Sequence, residues 1–400
     1  MKPLPIPAHL GQNQPRAVSR MMGYPSLHFG ARKDTVTLKA APVETHTPYI
    51  SMDKTQYFIQ TPAYPEMVDQ NGHLRAGHLL KLIDIAGSMP AFEFVGKGQS
   101  VVTASMDRTN IVNPIKRWEM IRLHSRITQV WQSSLESEVT VSAYDFRFHE
   151  ERPVATAYLV FVGLDEKRQK IAMPPLANKN SELAKAADIR KASRQQEGRE
   201  LPILPIEEGD TPFVSVVETE MTPQHANALN NVFGGVILDH IDQAGSLAAK
   251  KVALEGFVTG VRQDRMSFIA PAYIGETLRT KAIVTRSWRT SMEVQVEVEA
   301  VNPVNKQVRK IASSYLVYVK LGANGNPAEF PPWVPLTETQ KKRAEAADKR
   351  RANRELEEKQ TIVPQNVQPP MTEKNPAQTG QGRWAGFVAG IRQAFKSLLS

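Results

Sequence analysis

Apolar and polar residues alternate most regularly in the stretch Met292-Glu-Val-Gln-Val-Glu-Val298, the period of a half-buried β-strand. Strand-like runs surround it near 257–269, 276–287, 291–301 and 309–320. A different rhythm precedes them. From Val236 to Lys251, Ile237, Leu238, Ile241, Ala244, Gly245, Leu247 and Ala248 recur at helical spacing and form an apolar face. Asp242 interrupts that face about two turns in. A carboxylate among apolar neighbours is costly to bury unless it is paired or used in chemistry. The order of one helix followed by strands predicts a helix packed on the concave face of an antiparallel sheet, since neither could bury its apolar side alone.

The same order occurs twice. At a constant offset of 157 positions, Asp107 matches Asp264, Arg108 matches Arg265 and Pro114 matches Pro271. Glu119 likewise matches Glu276, Trp131 matches Trp288 and Glu136 matches Glu293, and the register continues to Val162 and Val319. Leu135–Val141 is the counterpart of the alternating stretch. An ungapped register of this length marks a duplicated domain. Each copy ends in a Pro-Pro pair, Pro174-Pro175 and Pro331-Pro332, followed by a charged helical stretch, Ser181–Arg194 and Thr337–Glu358. Both stretches read as solvated faces. The pattern divides the chain into a basic disordered tail over 1–44, a first domain over 45–178 and a charged helical linker over 179–210. A second domain follows over 211–336, then a charged helix over 337–358, a disordered linker over 359–381 and an amphipathic helix over 382–400.

Composition narrows the chemistry. The 400 residues include no cysteine, which removes disulfides, thiolate nucleophiles and zinc-thiolate sites. The nine histidines show no metal-ligand spacing, so neither a metal nor a redox cofactor is expected. The net charge of +9 sits largely in the tails and does not argue for nucleic acid. Residues 1–33 carry basic residues and no acidic ones; this reads as a plain tail, with an organellar transit peptide as the other reading. Near the other end, Trp384, Phe387, Val388, Ile391, Phe395, Leu398 and Leu399 fall on one helical stripe, which suits docking to a membrane surface or a partner over 384–399. The expected location is the cytoplasm, with the mitochondrial matrix as the alternative.

The segment Asn231-Val-Phe-Gly-Gly235, leading into Ile237-Leu-Asp-His-Ile-Asp-Gln-Ala-Gly245, resembles the tandem-hotdog acyl-CoA thioesterases, in particular the brain-type long-chain acyl-CoA hydrolases and their bacterial relatives. Gln263-Asp-Arg-Met-Ser-Phe-Ile-Ala-Pro-Ala-Tyr-Ile-Gly-Glu276 and Arg289-Thr-Ser-Met-Glu-Val294 are similar to further motifs of that family. The likeness covers roughly 45–358 and is weaker in the first copy. It implies an α+β fold of two tandem hotdog domains, each a long central helix wrapped by a curved antiparallel sheet. It also implies that the domains pack sheet to sheet, with sites between them, and that copies self-associate. In such sites one domain supplies an Asn ahead of the Gly-Gly pair and the other a carboxylate from its helix. Carried over, these are Asn231 with Asp84, and His73 with Asp242, since Asn71-Gly-His-Leu-Arg-Ala-Gly77 places His73 where the Asn belongs and Ala76 at the first glycine.

These residue types suit thioester hydrolysis. Asp84 would activate water as a general base, or attack directly to form a mixed anhydride. Asn231 would position water or thioester. The N–H groups of Gly235 and Val236, next to Gly234 at a helix start, would stabilise the oxyanion, each worth typically about 3 kcal/mol of barrier. Structural alternatives stand beside each assignment. Asn231 is a candidate helix N-cap, the glycines a device for close packing, His73 a surface histidine and the aspartates ordinary boundary residues. Two other functions share the fold: a hydroxyacyl-thioester dehydratase using His73 and Asp242, and a non-catalytic acyl-CoA-binding or scaffold protein.

Overall fold

The alternating stretches form strands in the computed structural model, which describes residues 50–51, 55–177, 180–197, 204–207, 210, 214–322 and 325–360. The expected tail over 1–44, amphipathic helix over 382–400 with its docking role, and nearly all of the linker over 359–381 lie outside the described residues. The first repeat comprises β1 (Ile50–Ser51), β2 (Gln56–Pro62), α1 (Ala76–Val95), β3 (Ser100–Met106), β4 (Thr109–Asn110), β5 (Met120–Val130), β6 (Ser134–Asp145) and β7 (Glu150–Leu164). β8 (Leu176–Ala177) pairs in parallel with β1, and α2 (Ser181–Glu197) follows. The second repeat comprises β9 (Ser215–Glu220), α3 (Gly234–Ala253), β10 (Phe257–Gln263), β11 (Met266–Ser267), β12 (Thr277–Ser287), β13 (Ser291–Val301), β14 (Val308–Leu321) and α4 (Glu338–Gln360).

Each repeat is a hotdog domain, one apolar helix wrapped by an antiparallel sheet. Leu79, Leu80, Ile83 and Phe94 of α1 share a core with Ile121, Leu123, Val139 and Leu159 of the sheet. The offset between repeats is 157 in the strands but 158 in the helices, where Asp84 matches Asp242 and Gly77 matches Gly235. The extra residue falls in the helix–strand turn, 96–99 in the first copy and 254–256 in the second.

The run expected as a single strand over 257–269 breaks after Gln263. Its end, β11, joins the first domain's sheet, with Met266 opposite Met106. In return β4 joins the second domain's sheet, with Thr109 opposite Gln263. The sheet orders are therefore β11-β3-β7-β6-β5-β2 and β4-β10-β14-β13-β12-β9. The domains meet by this exchange of edge strands and by contact of α1 with α3, not face to face through their sheets. The repeated Asp-Arg pairs lie at the same seam and cross it. Arg108 donates to Asp264 and Arg265 donates to Asp107, each at 3.2 Å.

The expectation that the two charged stretches are solvated faces is overturned. Arg190 of α2 donates to the fully buried Glu136 at 2.5 Å and stacks on the Tyr158 ring at 3.7 Å, while Arg194 joins Asp107 to Glu136. α4 repeats the arrangement: Arg350 donates to the fully buried Glu293 at 2.6 Å and stacks on Tyr315 at 3.7 Å, and Arg354 joins Asp264 to Glu293. Trp131 and Trp288 donate their indole N–H groups to Asp188 of α2 and Asp348 of α4 at 2.9 Å. The physical reason is that the polar half of the strand alternation carries carboxylates that are covered rather than wet. Burial alone would push Asp264 up, but the charge and hydrogen bond of Arg354, with Arg108, hold it at about 2.

Candidate active site

Neither central helix has a side-chain cap of its own: Arg75 and Phe233 occupy the capping positions and make no capping bond. The first N–H groups of a helix need acceptors from elsewhere. Each helix meets the other domain's aspartate. Gly77 N–H donates to Oδ2 of Asp242 at 2.8 Å, and Gly235 N–H favours the charged form of Asp84. Gly77 and Gly235 are the second residues of their helices, where an N-cap oxygen normally bonds; for α1 the capping bond is supplied in trans by Asp242. Glycine is needed at this crossing. A Cβ on Gly77 would stand 2.8 Å from Cβ of Asp242, and one on Gly235 3.0 Å from the Lys81 carbonyl. Asn231 is not the N-cap, which is Phe233.

The two aspartates have different surroundings. Asp84 is fully buried. Its Oδ1 accepts a hydrogen bond from Thr103 Oγ1 at 2.8 Å, and its Oδ2 has no hydrogen-bond partner. Gly234 lies against that oxygen, since a Cβ there would stand 2.9 Å from Oδ2 and 3.1 Å from Thr103 Oγ1. Burial pushes the carboxyl up to about 7, against the opposing pull of Thr103 and Gly235.

Asp242 is also buried, but both oxygens are occupied. Besides the Gly77 bond, Oδ1 accepts from Tyr318 Oη at 3.0 Å. Burial raises its pKa, and the Gly77 and Tyr318 hydrogen bonds oppose the rise. Three differences between the repeats produce this. Tyr318 stands where the first copy has Phe161, Gly260 where it has Thr103, and Ala76 where the second copy has Gly234. The Tyr318 hydroxyl fills space left by Gly245, whose added Cβ would stand 2.5 Å from it, and Ala76 fills the space left by Gly260.

The structure places Asn231 three residues ahead of Gly234, on the segment that runs into Asp84. Its Oδ1 is buried with no hydrogen-bond partner. Its N–H donates to Asn227 Oδ1 at 3.0 Å, and its backbone pairs with Tyr273. His73 heads the corresponding segment toward Gly77. Its N–H donates to Asp69 Oδ1 at 3.0 Å, and burial lowers its imidazole pKa despite the nearby Asp69 charge. One expectation is corrected: Val236 N–H donates to the Phe233 carbonyl at 3.0 Å, so Gly235 alone of the two expected donors faces Asp84.

Sequence reasoning missed Thr103, Tyr318 and Asn227. Asn227 Oδ1 accepts the N–H groups of Leu229 and Asn231, shaping the turn, as Asp69 Oδ1 does for Asn71 and His73. Its signal was the 158 offset that matches it to Asp69. Thr103 carries no local signal, being an ordinary strand residue. Among the described residues no group of three His, Asp or Glu side chains is placed to hold a metal ion, and no helix is long and apolar enough to cross a membrane.

Two hotdog domains joined in one chain, with helix carboxylates facing the opposite helix start, define the class. A model of the thioesterase superfamily matches residues 71–145 and 229–305, once in each repeat. Among curated relatives it is 27% identical over 309 residues to the acetyl-coenzyme A thioesterase of Rattus norvegicus, a match covering 72% of this chain and 55% of that protein. It is 25% identical over 300 residues to the cytosolic acyl coenzyme A thioester hydrolase of Mus musculus, covering 70% and 78%. The chain thus spans about half the length of the acetyl-coenzyme A thioesterase it matches. A solved acyl-CoA hydrolase from Staphylococcus aureus, in complex with butyryl coenzyme A and coenzyme A, is 29% identical, with 38% of this chain and 93% of that chain covered at a TM-score of 0.34.

Proposed function

We propose that this chain hydrolyses acyl-CoA thioesters, converting R–CO–S–CoA and water to a fatty acid and free CoA, at the site of Asp84. The observation that carries the reading is the unequal state of the two aspartates. Asp84 keeps one buried oxygen without a partner and a pKa near 7, whereas both oxygens of Asp242 are bound. A buried acceptor left unpaired is costly, and a carboxylate poised near neutrality suits a general base. Oδ2 of Asp84 and Oδ1 of Asn231 are each buried acceptors without a partner, and in this reading both serve the attacking water.

In this reading water adds to the thioester carbonyl carbon while Asp84 takes its proton. The oxyanion develops toward Gly235 N–H and the positive end of α3. The tetrahedral adduct then breaks its C–S bond, and the CoA sulfur leaves as the thiolate and takes up a proton. Thr103 holds the carboxylate by Oδ1, so Oδ2 does the chemistry. No metal or redox cofactor enters, because a thioester is electrophilic enough for water and a base. Relatives named for acyl-CoA hydrolysis, one of them cytosolic, support the substrate class and a cytoplasmic site of action. Self-association would use the outer sheet edges at β2 and β9. The dehydratase reading loses support because both oxygens of Asp242, the residue it needs, are already hydrogen-bonded within the protein.

The test is CoA-thiol release from acyl-CoAs of graded chain length by wild type, Asp84→Ala and Asp242→Ala. Loss in Asp84→Ala alone is the expected result. Loss in Asp242→Ala alone would move the chemistry to the other site, and no release by the wild type on any substrate would reject hydrolysis.

A further inference from the structure

Arg168 occupies a conformation that arginine seldom takes. It lies in a turn in which Asp165 N–H donates to the Gln169 carbonyl and Arg168 N–H to the Asp165 carbonyl, both at 2.9 Å, with φ of 61° at Arg168. The second repeat has the same turn. Gly322 N–H donates to the Asn326 carbonyl at 2.8 Å, Gly325 N–H to the Gly322 carbonyl at 2.9 Å, and Gly325 takes the matching position with φ of 77°. A left-handed φ favours glycine and strains a residue with a Cβ. The first repeat therefore accepts backbone strain where the second avoids it.

What the Arg168 side chain gains is contact with the opposite domain. Its Nη2 donates to the Leu229 carbonyl at 3.1 Å. Its guanidinium also lies over the Tyr273 ring at 5.3 Å, with Arg309 stacked on the same ring at 5.0 Å. Both contacts land on one structure. Leu229 is inside the turn that Asn227 closes onto Asn231, and Tyr273 pairs its backbone with Asn231. The corresponding turn of the first domain, ending at His73, would have to be held by Gly325, which has no side chain, and Lys116 stands in the place of Tyr273. The strained arginine is thus found on the side of the molecule that serves Asp84, and its glycine counterpart on the side that serves Asp242.

We propose that Arg168 is a positioning residue, pinning the 227–231 turn from the other domain so that Asn231 and Gly234 stay aligned with Asp84. This rests on the reading of Asp84 as the hydrolytic site. The variant that tests it is Arg168→Gly, which installs the residue the second repeat uses and relieves the strained φ, so folding is preserved and the melting temperature rises or holds. Hydrogen exchange at the amides of Leu229 and Asn231 is expected to accelerate, while Asn71 and His73 stay unchanged. Unchanged exchange at Leu229 and Asn231 would overturn the proposal whatever the activity.

The kinetic arm separates positioning from substrate binding. With an acyl-CoA, kcat is expected to fall about ten- to a hundredfold with KM nearly constant, the signature of misalignment rather than lost ground-state affinity. The same loss is expected with an acyl-pantetheine thioester, which lacks the nucleotide phosphates. A rise in KM confined to the CoA thioester would instead make Arg168 a phosphate contact and overturn the positioning role. Accelerated exchange in Arg168→Gly, together with a wild type that hydrolyses neither thioester, would leave the pin standing and reject the hydrolytic reading.

Discussion

Tyr318 donates its hydroxyl to Oδ1 of Asp242 at 3.0 Å. Phe161, in the same place in the first repeat, has no hydroxyl to give. Asp84 therefore depends on Thr103 for one oxygen and leaves the other open, while Asp242 is closed by Tyr318 and Gly77. One hydroxyl, carried by Thr103 on β3 in the first repeat and by Tyr318 on β14, the sheet neighbour of β10, in the second, separates a carboxylate poised for chemistry from one that ties two domains together.

Removing that hydroxyl should weaken the molecule without touching catalysis. Tyr318→Phe leaves Oδ1 of Asp242 buried and unpaired, at a cost of about 1–3 kcal/mol. Denaturant unfolding is expected to show the loss, and CoA-thiol release to remain at the wild-type rate. A large fall in kcat would place Asp242 in the chemistry.

Asp84 gives a pH dependence with a defined sign. Its folded pKa is raised from 3.8 to about 7, and the base is active only when ionised, so kcat/KM should rise with pH to a plateau above about 7. The same shift acts against stability. The contribution from Asp84 is fully present below pH 3.8 and is lost as pH rises through about 7, by up to about 4 kcal/mol. Asp84→Asn should therefore be inactive and, above pH 7, more stable than the wild type. Melting curves at pH 5 and pH 8 check this, the gain appearing chiefly at the higher pH.

Gly234 tests the open oxygen directly. In Gly234→Ala the new methyl would stand 2.9 Å from Oδ2 of Asp84 and 3.1 Å from Thr103 Oγ1, so the carboxylate must turn. A fall of about a hundredfold in kcat is expected from such a displacement, with little change in melting temperature because the helix gains an alanine. Unchanged kcat would show that Oδ2 is not used.

Helix α4 should prove structural rather than decorative. Arg354→Met removes the cation shared by Asp264 and Glu293, leaving two buried carboxylates short of countercharge, at a cost of about 3–5 kcal/mol. The pH sign is opposite to that of Asp84. Asp264 has its pKa lowered to about 2, so its stabilising share is present above about 3.8 and is lost as pH falls through about 2. The acid unfolding midpoint of Arg354→Met should accordingly lie at higher pH than that of the wild type.

Local pattern was enough for much of the architecture. Strand alternation in Met292–Val298, helical spacing from Ile237 to Ala248 and the offset between Asp107 and Asp264 depend on neighbours a few residues apart or on self-comparison, and each is visible in one dimension. The pairing of motif residues with the opposite helix carboxylate came from resemblance. The covering of Glu136 and Glu293 was not visible, because an alternating strand looks the same whether its polar side meets water or the arginines of a helix 54 to 61 residues away.

The sequence by itself thus determined two helix-and-sheet repeats and the two aspartates on their apolar faces, since periodicity and self-similarity are properties of the chain alone. Only the tertiary structure decided which aspartate keeps an open oxygen. That depends on Thr103, Phe161 and Gly234 around one carboxylate and on Gly260, Tyr318 and Ala76 around the other. The difference is a matter of angstroms between atoms up to 165 residues apart, and distances of that kind do not exist until the chain has folded.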